Sequence, residues 1–123
     1  MRAVIALLLD DDSDLLEVMA DVLSAYGWLA ETARSVAELH ALGARALATD
    51  VAVLDINLGP SRPSGIDAYD WLQAQNYHGR ILFLTGHARS HPLVERARHL
   101  RRATVIDKPT SAEALMNQIL GRT

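Results

Sequence analysis

Six positions in this sequence have side chains suited to phosphoryl transfer. Asp10, Asp11 and Asp12 follow one apolar run, Asp55 follows a second, Thr85 a third, and Lys108 sits between Asp107 and Pro109 after a fourth. Carboxylates held about 5 Å apart at an effective dielectric of about 20 repel by roughly 3 kcal/mol per pair, so such a cluster invites a proton or a cation. With oxygen ligands, no thiolate and no obvious His pair, the cation of choice is hard, Mg2+ before Zn2+. A carboxylate beside it can attack phosphorus to give an aspartyl phosphate. Charge on the transferred group then needs donors, which Lys108 and the Thr85 hydroxyl would supply. Lys108 is the single Lys in a chain whose other eleven cations are Arg. A compact ammonium suits a tight site for one phosphate oxygen where a planar guanidinium would not fit.

These residues need elements that bring them to one edge. Ala3 to Leu9, Val51 to Leu54 and Ile81 to Leu84 are apolar runs fit for strands buried on both faces, with Trp28 to Thr32 and the short Val105-Ile106 as further strands. Between them, apolar residues recur at helical spacing. Leu15, Met19, Val22, Leu23 and Tyr26 follow Ser13 as N-cap and stop at Gly27, and Val36, Leu39 and Leu42 follow Ser35, weakening from Gly43 to Ala48. Gly59 to Gly65 reads as a loop, and Ile66, Tyr69 and Leu72 mark a helix to about Asn76. Ser90 and Pro92 open a helix through Leu93, Ala97 and Leu100. Thr110 and Glu113 have capping-box spacing before Leu115, Ile119 and Leu120, with Gly121 at the stop. Five β-α units predict an α/β fold with a five-stranded parallel sheet covered by helices on both faces. In such sheets ligands bind beyond the carboxyl ends of the strands, where Asp10, Asp55, Thr85 and Lys108 fall.

Length and composition narrow the classes. A chain of 123 residues with 50 % hydrophobic and 22 % charged residues has the makeup of one soluble domain with its own core, so residues 1–123 are expected to form one unit. The longest apolar run is too short to span a bilayer and no signal-peptide pattern precedes it, which gives a cytoplasmic expectation without membrane association. Absence of Cys excludes disulfides and thiolate metal sites, and a net charge of -3 gives no general attraction to nucleic acid.

The motifs together resemble the receiver domain of bacterial response regulators, over essentially the whole chain. Leu8-Leu9-Asp10-Asp11-Asp12-Ser13 is similar to the family's first-strand acidic signature and Val53-Leu54-Asp55-Ile56-Asn57-Leu58 to its phosphoacceptor strand. Leu84-Thr85-Gly86 is similar to the switch threonine and Asp107-Lys108-Pro109 to the lysine motif. The resemblance implies a flavodoxin-like doubly wound fold with strand order 2-1-3-4-5. It implies that Asp55 accepts the phosphoryl group, that Asp11 binds Mg2+ directly and Asp10 through water, and that Asn57 offers its backbone carbonyl. Lys108 would contact the phosphate, Thr85 would move to meet it, and Pro109 would follow a cis bond. The implied partners are a histidine kinase or histidine phosphotransfer protein and a downstream protein or fused output domain, with homodimer formation left open. The implied role is a signalling module whose own chemistry is limited to self-phosphorylation and autodephosphorylation.

Three stretches depart from that pattern. Leu58-Gly59 lacks the family's Pro, and Gly65 stands ten positions past Asp55 where the family has a Gly at eight, so the loop is two residues longer. Val105 occupies the position of the family's Tyr or Phe. Arg101-Arg102-Ala103 replaces the usual Ala-Gly, and with Arg89, Arg96 and Arg98 against Glu95 it reads as a solvated basic face, an acidic partner being the alternative. Two other functions compete. A Mg2+-dependent phosphohydrolase with an aspartyl nucleophile would want a second Asp where Asn57 stands, and a cap insertion. A phosphate-independent interaction domain would have no use for Asp55, Thr85 and Lys108 together.

Overall fold

Ile5–Leu9 forms β1, Leu29–Ala33 β2, Val51–Asp55 β3, Arg80–Thr85 β4 and Ala103–Asp107 β5. All pair in parallel, in the order β2-β1-β3-β4-β5. The computed structural model describes residues 3–59, 63–86, 92–107 and 112–120. The expected architecture is the observed one.

Why the central strands are apolar throughout is visible in what each face meets. Leu7, Leu9, Ala52, Leu54, Ile81 and Phe83 point into one core layer, and Ala6, Leu8, Val51, Val53, Leu82 and Leu84 into the other. The period of two therefore distributes a continuous apolar run between two buried faces. Helix α1 (Ser13–Ala25) contributes Leu16, Met19 and Leu23 to the second layer, and α6 (Ala112–Ile119) adds Leu115 and Ile119. The first layer is closed by α2 (Val36–Leu42), α3 (Ala44–Leu47), α4 (Gly65–Ala74) and α5 (Pro92–Arg98).

Several boundaries differ from the sequence reading, each for a local reason. Asp12, not Ser13, is the N-cap of α1: its carboxylate accepts the N–H groups of Asp14 and Leu15. Leu16 is buried where Leu15 is only half-buried, and Tyr26, beyond the helix end, is 50 % exposed. The second helix breaks at Gly43, whose φ of 55° is left-handed, and α3 follows as a separate turn. Helix α4 starts at Gly65, inside the stretch read as loop, because Ser64 and Asp67 form a capping box, and it ends at Ala74. Strand β2 lies one residue later than read, and β5 has five residues where two were expected. The expected caps Ser90 and Thr110 and the stop at Gly121 lie outside the described residues, as does the Glu113 side chain.

Opposite the acidic edge, polar contacts tie the sheet to its helices. Arg80, opening β4, donates from one guanidinium nitrogen to the carbonyl of Ile119 at 3.0 Å and from the other to Gln118 at 2.7 Å. Those carbonyls end α6 and lack helical partners, so a cation with two donors satisfies both charge and hydrogen bonds. Nearby, the buried Thr49 hydroxyl donates to the Ala46 carbonyl at 2.8 Å, leaving Tyr77 to donate to Thr49 at 3.0 Å. Gly79 is required there, since a Cβ would collide with the Tyr77 hydroxyl and come within 2.8 Å of the Asp50 carbonyl.

Burial pushes the Tyr77 phenol up to about 12 from 10.0, the Thr49 bond opposing it and the Asp50 charge assisting. A phenol whose folded value is raised stabilises the fold fully below the unfolded value and loses that contribution as pH climbs through the folded one. Unfolding free energy from urea titrations should therefore fall between pH 10 and about 12. Tyr77→Phe should flatten that fall while costing about 1 kcal/mol at neutral pH. An equally steep fall in the variant would assign the loss to another group.

Candidate functional site

Strands β1 and β3 lie side by side, Leu9 opposite Leu54. The chain leaves β1 towards β2 on one side and returns to β3 on the other. Loops diverge from such a reversal, opening a crevice beyond the carboxyl ends of the strands. Asp10 and Asp11 follow β1 directly, and Asp55 is the last residue of β3.

One carboxylate oxygen from each of Asp10, Asp11 and Asp55 lies within 4.8 Å of the others. Asp10 is 2 % exposed and Asp55 5 %, whereas Asp11 is exposed, so two acids form the floor and one the mouth. Asp10 is oriented from both ends. Its N–H donates to the Ala33 carbonyl at 3.1 Å, and its Oδ1 accepts the Asp12 N–H at 3.0 Å. Asp12 is taken up by the α1 cap. The donor set is all oxygen and the pairwise repulsion at this spacing is about 3 kcal/mol, so the residues present fit a hard divalent cation.

Thr85, 1 % exposed, ends β4 opposite Asp107 of β5, while Asp55 is opposite Leu84. Thr85 is thus one strand over and one residue on from Asp55, on the same edge. The Asn57 Oδ1 accepts the Gly59 N–H at 3.0 Å, turning the chain after β3, and buried Leu58 anchors that turn. Lys108 and Pro109 lie outside the described residues, which reach Asp107 on this strand.

Gly65 was read as a loop residue, and its part in the site was missed. It is buried at the start of α4, and its N–H donates to the Ile56 carbonyl at 3.0 Å. A Cβ there would collide with the Asp55 carbonyl oxygen and come within 3.0 Å of the Asp55 carbonyl carbon and 3.1 Å of Ile56 Cα. Helix α4 therefore rests on the backbone of Asp55. The Ser64 hydroxyl accepts the Ile66 N–H at 3.1 Å and the Asp67 carboxylate accepts the Ser64 N–H at 2.7 Å, fixing that helix end. The signal was present in the sequence as the three-residue spacing of Ser64 and Asp67.

A family model for the response regulator receiver domain matches residues 6–120. The photosynthetic apparatus regulatory protein RegA of Cereibacter sphaeroides is 30 % identical over 116 residues, covering 94 % of this chain and 61 % of RegA. The chain thus spans about three-fifths of that relative's length. The receiver domain of NtrX from Brucella abortus superposes with a TM-score of 0.76 at 27 % identity, over 94 % of this chain and 95 % of that one. A response regulator protein from Burkholderia pseudomallei, solved with a phosphorylated aspartic acid, calcium ion and citrate, gives a TM-score of 0.77 at 25 % identity. That match covers 93 % of this chain and 65 % of that one.

The close approach at Gly65 has a measurable sign. Helix propensity alone makes Gly65→Ala stabilising by up to about 1 kcal/mol, but the clash with Asp55 backbone makes it destabilising by about 2 kcal/mol. A urea midpoint that stays level or rises would contradict the packing of α4 on Asp55.

Proposed function

The chain belongs to the response regulator receiver family of two-component signalling, and on that premise we propose that it is a Mg2+-dependent switch phosphorylated on Asp55. The observation that carries this reading is the carboxylate cluster at the strand reversal, with Asp55 on its floor and within 4.8 Å of Asp10 and Asp11. A carboxylate oxygen of Asp55 attacks phosphorus on a phosphohistidine. The P–N bond breaks, its electron pair leaves with the imidazole, and an acyl phosphate forms. Asp10, Asp11, Asp55 and the Asn57 backbone carbonyl hold Mg2+, which when bound supplies positive charge to the phosphoryl oxygens. Thr85 donates its hydroxyl to one phosphoryl oxygen, and Lys108 pairs with another.

The phosphodonor on this reading is a histidine kinase or histidine phosphotransfer protein, and the output is a downstream protein or a fused domain. The protein acts as a signalling module, its chemistry confined to taking up and losing this phosphate. Residues 1–123 form one receiver domain, which works in the cytoplasm without binding nucleic acid itself. Among the described residues no helix is long and apolar enough to cross a membrane. Asn57 in place of a second acid disfavours the phosphohydrolase alternative. The investment of two buried carboxylates and a buried Thr85 in one edge disfavours a phosphate-independent role.

Incubation with acetyl phosphate and Mg2+ should add one phosphate to the intact mass. EDTA or Asp55→Asn should abolish the addition, and Asp11→Asn should slow it by about tenfold or more. Labelling that persists in EDTA would remove the metal from the mechanism. Equal labelling of Asp55→Asn would remove Asp55.

A further inference from the structure

Helix α4 is held at two points that lie on different sides of the fold. At its first residue the Gly65 N–H donates to the Ile56 carbonyl at 3.0 Å, and there is no room for even a Cβ against the Asp55 carbonyl oxygen. Backbone meets backbone there, so a shift of Asp55 towards the helix finds no flexible side chain to absorb it. Tyr69 lies four residues further on, buried on the same side of α4 and one turn along. The capping box of Ser64 and Asp67 closes the first turn between them. Residues 64–69 therefore move as one piece.

Tyr69 ties the other end of this piece to the turn between α5 and β5. Its ring is 7 % exposed, with its centroid 6.0 Å from that of Phe83 on β4, and its hydroxyl donates to the Arg101 carbonyl at 2.8 Å. The next residue of that turn, Arg102, has a φ of 62°. The other left-handed positions among the described residues are Gly27, Gly43, Gly59 and Asn76, types that adopt this conformation at least cost. Arg102 is exposed, so burial of its own side chain does not hold it there. The Tyr69 bond braces the turn on one side and the pairing of Ala103 with Ile81 on the other. The cost of left-handed backbone at an ordinary residue and the net worth of one hydrogen bond are of the same order. The turn is thus close to balance, and losing the bond releases it.

We propose that α4 is a lever between Asp55 and this turn, with Tyr69 as its positioning residue. A change at Asp55 that moves its backbone moves Gly65. One turn along, the Tyr69 hydroxyl is drawn off the Arg101 carbonyl, and Arg102 leaves the left-handed region. At 2.8 Å the bond is near its optimum, so displacement either way weakens it. Coupling is reciprocal, so a released turn in its own right favours the changed state of Asp55. Where the change at Asp55 is a phosphoryl group, the inference rests on the function proposed above; the path through Gly65 and Tyr69 does not.

Hydrogen exchange of the backbone amides of residues 101–103 reads the turn, while intact mass after acetyl phosphate and Mg2+ reads phosphate uptake separately. Beryllofluoride with Mg2+, standing in for the phosphoryl group on Asp55, should speed exchange at the turn by about fivefold or more. Tyr69→Phe keeps the ring and removes the bond. In that variant uptake should persist, exchange at the turn should already be fast, and beryllofluoride should speed it by less than about twofold. A residue that merely stabilised the fold would shift both states alike and leave the response intact. Gly65→Ala, which wedges α4 off Asp55, should speed the same amides with no phosphate present. If that variant does not fold, the path is read backwards from the Gly65 amide, whose exchange Tyr69→Phe should quicken. Normal uptake with a turn that does not respond, or a full response in Tyr69→Phe, would overturn the lever. A chain that takes up no phosphate would overturn the reading of Asp55 instead, and unchanged exchange in the phosphate-free comparison would then overturn the lever as well.

Discussion

Carboxylate repulsion at the strand reversal is the constraint around which the molecule is arranged. With oxygens of Asp10, Asp11 and Asp55 inside 4.8 Å, the buried pair Asp10 and Asp55 opposes folding by about 3 kcal/mol at a moderate dielectric, and exposed Asp11 adds less. Domains of this size are stable by only about 5–15 kcal/mol, so the cluster consumes a sizeable part of the margin. A fold that retains it holds a demand for positive charge at one edge, and on the proposed reading Mg2+ answers that demand and would in turn offset the negative charge of the phosphoryl group. The same constraint explains the depth profile of the acids. Asp10 and Asp55 are held on the floor by strands that cannot easily shift, while Asp11 stays at the mouth where water screens it.

Rigidity around the cluster comes from packing on every side. Asp55 is the end of a strand paired with β1 and β4, both of which are buried on two faces. Helix α4 rests on its carbonyl through Gly65, and the capping box at Ser64 and Asp67 sets where that helix begins. At the far edge Arg80 ties β4 to the end of α6, and Tyr77 with Thr49 fills the space over Gly79. Helix α4 also reaches the turn before β5, through Tyr69 and the Arg101 carbonyl. One helix thus touches both the acidic edge and the basic turn.

How much of this was legible in the sequence depends on whether the cause was local. The central strands were plain because burial on both faces demands unbroken apolar runs, and the acids that end them marked the site edge. Boundaries slipped where two residues could serve the same role. Asp12 and Ser13 are both N-cap types, and the first of them took the position. Gly65 was hidden in a Gly- and Pro-rich stretch, since nothing local tells that a helix will press it against Asp55. The Tyr69 bond to Arg101 joins residues 32 apart in sequence, and the left-handed backbone of Arg102 has no Gly or Asn to announce it. Tertiary contacts set these features, and local spacing carried only the start of α4, through Ser64 and Asp67.

Direct chemical mapping tests the central claim that Asp55 is the acceptor. Phosphorylated protein is treated with borohydride, which reduces an acyl phosphate to the alcohol, and the peptides are then mapped by mass. Conversion of Asp55 alone to homoserine is the result the account predicts. Homoserine at Asp10 or Asp11, or phosphate retained on a hydroxyl or imidazole with Asp55 intact, would contradict it.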